Sequence, residues 1–519
     1  MPNLSRLQRQ AMSSLQQGDL TRAEKLCAGI LEYRPEDFDA LHMLGMVNFQ
    51  RQRMVEALRF LAAALRVNAG SPEVMSNLGL ALHAVARYDE AISYFRSALQ
   101  LAPDHPEILY NLANAYLELG QVADALANYD AALAGTPGHV GAQVNRGNAL
   151  LRLNDPASAI ASYDAALTAM PGNPQILTNR GHALRRLDRP VEALANFNAA
   201  MTAAPEFAEA HFEAAMTRLT LGDFDAGWTE YEWRWKTGAF AGRRRSLPAP
   251  LWTGNEPVAG RTILLHAEQG FGDTIQFIRY APLLTGRGAS VICEVQPELL
   301  PLLSGLPDVR VVAAGEPLPA FDLHCPLLSL PRACRTQLAT IPADVPYLAA
   351  PAERLAHWRD RLPQGRPRVG FVWSGAPSHK NDANRSIPLS RLARLFDNPP
   401  VACLSLQAEL RDADRAILRG LPNLVHLGDE LRDFADTAAI IALLDITVTV
   451  DTAVAHLAGA LGKPTIILLP YAAEFRWMRD RGDTPWYPTA KLFRQPAFGD
   501  WDSVVARLHD ALRQVSVSR

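Results

Sequence analysis

The N-terminal half of the chain repeats with a period of 34 residues, and no other feature constrains its fold as strongly. An alanine recurs six times at this spacing, and a proline recurs near the end of most units. The alanines are Ala23, Ala57, Ala91, Ala125, Ala159 and Ala193, and the prolines are Pro35, Pro103, Pro137, Pro171 and Pro205. A fixed period of this length indicates stacked supersecondary units rather than one globular core.

Each unit contains two short amphipathic patterns, which predict a pair of packed helices. A glycine recurs in the first pattern, where a small residue allows the second helix to approach closely. These glycines are Gly45, Gly79, Gly147 and Gly181. The pattern resembles the tetratricopeptide repeat over residues 4 to about 240. The resemblance implies an all-α superhelical solenoid in residues 1–240, with six clear repeats, a degenerate seventh and a concave face.

Asparagines occupy equivalent positions in successive repeats and predict a binding surface. The first set is Asn77, Asn111, Asn145 and Asn179, and Asn114 and Asn148 lie three residues further on, hence on the same helix face. A carboxamide offers both a donor and an acceptor, so this ladder could pair with the backbone of an extended protein segment. Asparagine is also common at this position in generic repeats of the family, and that alternative stays open.

The seventh unit ends in residues 228–236, WTEYEWRWK, which we interpret as an aromatic cap between the solenoid and the next domain. A linker rich in proline and glycine follows in residues 241–260. Three consecutive arginines, Arg243, Arg244 and Arg245, begin this linker. We interpret them as a solvated turn, with an anion site as the alternative.

Composition excludes several classes of protein. Hydrophobic residues make up 48% of the chain and charged residues 20%, which excludes extensive disorder. The net charge of −3 gives no basic field for nucleic acid or anionic membranes. No apolar run reaches the length of a bilayer span, and the first residues lack the apolar core of a signal peptide. The five cysteines form no CxxC pair, so we expect reduced thiols in a cytoplasmic protein.

Apolar runs alternate with helical patterns beyond residue 260, which predicts parallel sheets in two α/β lobes. We expect a first lobe in residues 261–365, a second in 366–500 and a C-terminal helix in 501–519. The predicted strands are Thr262–Ala267, Ser290–Val295, Arg310–Ala313, Phe321–Cys325, Arg368–Trp373, Ala402–Leu406, Leu424–Leu427, Ile446–Val450 and Thr465–Leu469. Open α/β lobes bind ligands at the carboxyl ends of their strands.

The first candidate site follows the first strand, in the segment HAEQGFGDTIQ. Gln269, Gly270 and Gly272 form a loop in which a substrate could approach the backbone, and Asp273 falls at the start of a helix facing the crevice. An N-cap role for Asp273 is the structural alternative. A dinucleotide fingerprint is disfavoured because Ile275 occupies the position of its third glycine.

The second candidate site follows the strand at Arg368–Trp373. Ser374 and Gly375 begin a loop of small residues, and Lys380 and Arg385 supply positive charge where a phosphate could lie. Two cations in a loop are alternatively a solvated surface.

The third segment, DTAVAHLAGALGKP, gives the strongest local signal. Asp451 ends a buried strand, and Thr452 should cap a short helix that begins at Ala453 and is closed by Gly462. The free N–H groups of a helix N-terminus attract anions. His456 lies one turn in, on the same face as Thr452, where we expect a phosphate or ribose contact rather than a core histidine.

Together, the GxGD turn, the lysine-bearing loop and the DTAVAHLAGALGKP segment resemble glycosyltransferase family 9, the heptosyltransferase-like GT-B enzymes, over about residues 255–497. The fusion to repeats resembles bacterial protein glycosyltransferases, including those that modify flagellin, and more loosely the eukaryotic O-GlcNAc transferases. The resemblance implies a GT-B pair of Rossmann-like lobes. It also implies that Asp273 is the base, that residues 451–456 bind the donor phosphates and that Lys380 is the donor-side lysine.

The expected function is inverting, metal-independent transfer from a nucleotide sugar to Ser or Thr of a protein, such as flagellin, held in the repeat groove. We expect no cofactor, no metal and no nucleic acid partner. The Asp412–Asp414 DxD lies in a charged helical run and is interpreted as solvated surface. Two alternatives remain: a transferase acting on glycan or lipid, with repeats used for assembly, and a catalytically inactive scaffold.

Overall fold

The computed structural model describes residues 4–365, 367–379 and 381–517. The chain divides into two compact units, Met1–Ala183 and Leu184–Arg519. The division falls inside one helix, Pro174–Arg186. The domain bounds expected from sequence stay a prediction.

The first unit consists of paired helices, as the 34-residue period predicts. Their bounds are α1 Leu4–Gln16, α2 Leu20–Tyr33, α3 Phe38–Gln50, α4 Met54–Val67, α5 Pro72–Ala84, α6 Tyr88–Leu101, α7 Pro106–Glu118, α8 Val122–Gly135, α9 Val140–Arg152, α10 Pro156–Ala169 and α11 Pro174–Arg186. The second helix of each repeat buries its recurring alanine completely, as at Ala57, Ala91 and Ala125. A solenoid of helical repeats is therefore confirmed.

The recurring glycines are explained by close packing between the two helices of a repeat. A Cβ atom on Gly79 would lie 2.6 Å from the Phe95 ring, and one on Gly147 would lie 2.5 Å from the Tyr163 ring. Both distances are far shorter than van der Waals contact, so a larger residue would push the two helices apart.

The second unit begins with three further helices and continues into two parallel sheets. The helices are α12 Pro190–Ala203, α13 Ala208–Leu221 and α14 Phe224–Tyr231, followed by a 3-10 helix at Glu232–Lys236. The first sheet has the strand order β3-β2-β1-β4. Its strands are β1 Thr262–His266, β2 Ser290–Val295, β3 Val309–Ala313 and β4 Leu323–Pro326.

Short helices lie between the strands of the first sheet and after its last strand, β4. They are α15 Phe271–Phe277, α16 Ala281–Thr285, α17 Leu300–Leu303, α18 Leu330–Ala333 and α19 Ala352–Arg359, with 3-10 helices at Ile278–Tyr280, Pro297–Leu299, Leu327–Ser329 and Leu338–Thr340. The core of this lobe includes Leu265, Ile275 and Phe277, each fully buried.

The second sheet has six parallel strands in the order β10-β9-β8-β5-β6-β7. They are β5 Arg368–Val372, β6 Ala402–Ser405, β7 Leu424–His426, β8 Ile446–Val450, β9 Thr465–Leu469 and β10 Ala490–Arg494. The helices are α20 Asp382–Arg385, α21 Leu389–Leu392, α22 Asp412–Leu418, α23 Phe434–Leu443, α24 Ala453–Ala460 and α25 Trp501–Val517, with 3-10 helices at Ala393–Phe396, Gly428–Glu430 and Phe475–Trp477.

The strand order of the second sheet reverses between β5 and β8, which lie side by side. In doubly wound sheets this switch point is where ligands bind. The second and third candidate segments follow these two strands, so the topology brings them to one edge. No helix in the described part of the chain is long and apolar enough to cross a membrane.

Candidate functional site

The first candidate segment forms a tight connection between β1 and α15. Gly270 is the N-cap of α15, and Asp273 is the third residue of the helix. The Gly270 N–H donates to Oδ2 of Asp273 at 3.0 Å. Asp273 therefore stabilises the helix start, although as the second half of a capping box and not as the N-cap residue.

An arginine that sequence reasoning missed pairs with Asp273. Nη2 of Arg476 donates to Oδ1 of Asp273, and Nε of Arg476 donates to Oε1 of Gln276 at 2.5 Å. Nη1 of Arg476 also pairs with Glu474. The Arg476 side chain is only 6% exposed. Arg476 follows β9 of the second sheet, whereas Asp273 and Gln276 lie on α15, so this guanidinium joins the two lobes.

The surroundings of Asp273 act on its acidity in opposite directions. Burial raises the pKa of the Asp273 carboxyl above its ordinary 3.8, while the charge of Arg476 lowers it. The net direction is upward. A raised pKa makes the carboxylate a stronger base than an exposed aspartate.

Gly272 allows α15 of the first lobe to approach α24 of the second lobe closely. A Cβ atom on Gly272 would lie 2.8 Å from Cδ2 of His456 and 3.4 Å from Cα of Ala453. The predicted acceptor loop and the predicted donor segment are therefore in direct contact. A side chain at position 272 would therefore require the His456 ring or the helices themselves to move.

The predicted helix after β8 is confirmed as α24, with Thr452 as its N-cap residue. Gly462 adopts a positive φ of 67° just beyond the helix, as a helix-ending glycine does. The Thr452 side chain makes no capping hydrogen bond and instead lies 3.1 Å from Oγ1 of Thr449. The Ala455 N–H donates to the Thr452 carbonyl oxygen at 3.0 Å. The Thr452 side chain caps neither of the two preceding N–H groups, those of Ala453 and Val454, which can therefore bind an anion.

His456 is more deeply enclosed than expected. Its ring stacks on Trp477 with centroids 5.4 Å apart, and its Nδ1 lies 2.9 Å from the Tyr487 hydroxyl. Burial, followed by the nearby arginines, lowers the pKa of His456 well below its ordinary 6.5. The imidazole is therefore neutral and can contribute a hydrogen bond to a ligand but no charge.

Asp451 lies between the second and third segments. Nη1 of Arg385 donates to the Asp451 carbonyl oxygen at 2.8 Å. Burial and the nearby Glu474 raise the pKa of the Asp451 carboxyl to about 6, against the opposing charges of Arg385 and Arg476. The carboxyl is thus near its titration point close to neutral pH.

The loop after β5 places Arg385 against Gly375. A Cβ atom on Gly375 would lie 2.4 Å from Nη2 of Arg385, so the glycine makes room for the guanidinium. Gln407 fixes the backbone of Ser374, accepting its N–H at 3.1 Å and donating to its carbonyl at 3.0 Å. The buried Ser374 hydroxyl has no hydrogen-bond partner among the described residues. Lys380 lies outside the described residues.

Gln269, predicted to belong to an acceptor loop, is held by the protein itself. Its Nε2 donates to the Tyr231 hydroxyl at 3.0 Å, and its carbonyl accepts from Nε2 of Gln296 at 2.9 Å. The side chain is therefore engaged in holding the loop.

The interpretation of the DxD pair as solvated surface is wrong for one of its residues. Asp412 is exposed, but Asp414 is buried and accepts from the Trp373 indole N–H and from the Leu389 N–H, both at 3.0 Å. This carboxylate therefore has a structural role inside the second lobe.

The asparagines of the repeats are mostly bonded to one another. Oδ1 of Asn114 accepts from Tyr129 at 2.6 Å and from Asn145 at 2.9 Å, and Oδ1 of Asn148 accepts from Tyr163 at 2.8 Å and from Asn179 at 3.3 Å. Asn77 lies 2.7 Å from Nε2 of His42. Among the described residues, none bonds the Asn111 side chain. Packing between helices accounts for part of the ladder.

Two further expectations concern ions. Arg245 of the linker pairs with Glu294 near the end of β2. Because a carboxylate already engages this arginine, two of the three arginines are left to bind an anion. In the described residues, no group of three or more His, Cys, Asp or Glu side chains could hold a metal ion. Whether the reaction needs a metal stays a prediction.

Models of two families match the chain. Tetratricopeptide-repeat models match residues 110–174 and 178–232, and residues 36–104 and 70–138. The glycosyltransferase family 9 (heptosyltransferase) model matches residues 412–497, which contain Asp451, His456 and Arg476 but not Asp273.

The chain is also similar to Protein FlbA of Caulobacter vibrioides, with 26% identity over 339 residues. That match covers 60% of this chain and only 56% of the relative.

Two solved structures that are similar to part of the chain are those of tetratricopeptide-repeat proteins. One is the tetratricopeptide-repeat protein YrrB, at 20% identity and a TM-score of 0.32, covering 36% of this chain and 95% of that one. Another is a tetratricopeptide-repeat protein from Parabacteroides merdae, at 16% identity and a TM-score of 0.38, covering 45% and 93%. The chain thus combines tetratricopeptide repeats with a glycosyltransferase family 9 segment.

Proposed function

We propose that this glycosyltransferase transfers a sugar from a nucleotide sugar to a Ser or Thr hydroxyl of a protein acceptor held by the repeats. One observation carries the proposal: the Asp273 carboxylate meets Arg476, and the neighbouring Gly272 lies against Ala453, the first residue of α24. A base and an anion-binding helix end on opposite sides of a crevice are what a glycosyl transfer with a phosphate leaving group needs. Flagellin, named by the resemblance, is the first acceptor to test.

The reaction proceeds by a single displacement. The acceptor oxygen attacks the anomeric carbon, the bond from that carbon to the phosphate oxygen breaks, and Asp273 takes the hydroxyl proton. The configuration at the anomeric carbon is therefore inverted. The hydrogen bonds from Gly270 and Arg476 leave lone pairs on the carboxylate for this proton.

The charge that develops on the leaving diphosphate is met by positive groups on the other side. These are the first N–H groups of α24 and the guanidinium of Arg385, which lies beside them through its bond to the Asp451 carbonyl. His456, being neutral, can donate only a hydrogen bond there.

Asp273→Asn tests this assignment directly. The asparagine oxygen can accept from Gly270 or from Arg476 but not from both, and Arg476 keeps its pair with Glu474. We therefore expect the fold and the donor affinity to be kept while turnover falls about 10²- to 10⁴-fold, as when a general base is lost. The measurement is single-turnover transfer from a panel of nucleotide sugars. Turnover close to wild type would leave Asp273 with its helix-start role alone.

The acceptor is identified by mass spectrometry of flagellin and other cellular proteins from cells with and without this gene. A gene-dependent mass increase on Ser or Thr supports the proposal. Gene-dependent glycan or lipid products with unmodified proteins would favour the first alternative. Lack of nucleotide-sugar binding by the purified chain would favour an inactive scaffold.

A further inference from the structure

We propose that Tyr231 and Arg234, in the segment interpreted above as an aromatic cap, are positioning residues for Asp273. The proposal rests on the proposed function of Asp273, but its first test needs no turnover. Tyr231 is the last residue of α14 and Arg234 lies in the 3-10 helix that follows it. Both contact the loop between β1 and α15, which we call the base loop, residues 267–270. All of these residues lie in the second unit.

Arg234 is the most enclosed cation in this contact. Its side chain is 0% exposed, and Nη2 donates to both carboxylate oxygens of Glu268, at 3.0 and 3.2 Å. Nη2 also donates to Oγ of Ser329 at 2.7 Å, and Nη1 donates to Glu232 at 2.8 Å. A guanidinium held by this many fixed acceptors fixes the position of Glu268 in return.

Stability alone is a weak reason for such a pair. Removing two charges from water costs more than burying apolar side chains of similar size, so buried ion pairs contribute little net stability. At Glu268, burial raises the pKa of the carboxyl to about 7, against the lowering effect of the nearby Arg234. What the pair does supply is a defined geometry for the base loop.

Tyr231 holds the next residue of the same loop. Its hydroxyl accepts from Nε2 of Gln269 at 3.0 Å, and Gln296 holds the Gln269 carbonyl from the other side. Gln296 is itself fixed by Oγ1 of Thr274, at 2.9 Å. Two consecutive residues of the base loop are therefore held from outside the loop.

A single residue, Gly270, links these contacts to Asp273. Gly270 follows Gln269 directly, and its N–H donates to Oδ2 of Asp273. If the base loop moves, this donor moves with it, and the carboxylate loses one of the two bonds that orient it. Placement errors of about 1 Å at a reacting group are enough to lower rates about 100-fold.

The same segment also packs beside the other partner of Asp273. Trp228 makes edge contacts with Phe277, at the end of α15, and with Phe475, next to Arg476, with ring centroids 6.1 and 5.5 Å apart. The segment therefore contacts both the helix that carries Asp273 and the residue next to Arg476.

The test compares Tyr231→Phe and the charge-free double variant Arg234→Met/Glu268→Gln with a matched control. Arg354→Met is that control, because it removes another ion pair to a buried carboxylate, Asp436, between α19 and α23 of the same unit. The first measurement is hydrogen–deuterium exchange of the backbone amides of residues 267–274 in the full-length protein. We expect both test variants to accelerate this exchange about 10-fold or more, and Arg354→Met to leave it unchanged.

The second measurement is transfer from the nucleotide-sugar panel, below the melting temperature of each variant. We expect kcat to fall at least 10-fold in both test variants with unchanged nucleotide affinity, and Arg354→Met to keep its kcat even if it melts earlier. Unchanged exchange in residues 267–274, or unchanged kcat with faster exchange, overturns the positioning role. If the wild-type chain transfers no sugar, the proposed function fails, and the exchange measurement still decides whether these residues hold the base loop.

Discussion

At the scale of single residues, the hydrogen bonds and ion pairs of Arg476 determine the geometry of the site. Arg476 donates to Asp273 and to Gln276 on α15 while it pairs with Glu474 beside it. Its charge lowers the pKa of Asp273, whereas burial raises it. Arg476 therefore sets both the position and the basicity of the proposed base.

Arg476→Met should shift the pH dependence of transfer. Without the cation, the pKa of Asp273 rises further, because the term that lowers it is lost while burial remains. The carboxylate is then protonated over a wider acid range, so the acid limb of kcat/KM moves to higher pH. Turnover at neutral pH should also fall about 10-fold or more, since an oriented charge is removed. A pH–rate profile checks this. If the acid limb stays at the same pH as in the wild type, the base that titrates in that limb is not Asp273.

Asp451 gives a second pH effect, on donor affinity. Its carboxyl titrates at about pH 6, so it is ionised and repels a diphosphate above that pH and is protonated below it. Affinity for a nucleotide sugar should rise as the pH falls towards about 6 and level off below it, by no more than about 10-fold per pH unit because one proton is linked. Calorimetry at several pH values should show this slope in the wild type and its loss in Asp451→Asn. An equal slope in both proteins would contradict the assignment.

At the scale of elements, the helices and strands that follow a periodic sequence pattern could be predicted. The side chains that pair with each other across the fold could not. The bounds of β2, β8 and β9 agree with the sequence to the residue, because long apolar runs and flanking glycines mark buried strands. Strand β10 was missed because Lys491 and Arg494 interrupt its apolar pattern. Arg476 and Tyr231 were missed for a different reason: their partners lie far away in sequence, and periodicity carries no information about such pairs.

The contact between α15 and α24 gives a prediction with an internal control. Gly272→Ala should disrupt the site, because its Cβ would lie 2.8 Å from the His456 ring and force the two helices apart. We expect a loss of turnover of about 10-fold or more, since a 1 Å shift of a reacting group is costly. Gly305→Ala in the same unit is the control, because its Cβ meets no atom within 4 Å. Equal activity of the two variants would show that the helices tolerate separation.

At the scale of the whole molecule, the two units divide the proposed work. The base, the donor segment and their supports all lie in Leu184–Arg519, whereas the asparagine ladder lies in Met1–Ala183. Substrate capture and chemistry should therefore respond to different mutations. The asparagines of the ladder do not all have the same role. Asn114 and Asn148 accept hydrogen bonds from the hydroxyls of the buried Tyr129 and Tyr163.

Asn111→Ala and Asn148→Ala should therefore have opposite signatures. The Asn111 side chain is half-buried and bonds to no described residue, so its loss should leave the free energy of unfolding unchanged and weaken acceptor binding by about 0.5–1.5 kcal/mol, or about 2- to 10-fold. Loss of Asn148 removes the hydrogen bond that the fully buried Tyr163 hydroxyl donates to it and should cost about 0.5–1.5 kcal/mol of stability. Urea unfolding and acceptor pull-down with the full-length chain measure the two effects, and nucleotide affinity should stay at the wild-type value in both variants. If Asn111→Ala captures its acceptor normally while Asn148→Ala is destabilised, the asparagines serve the packing of the repeats and the acceptor binds elsewhere.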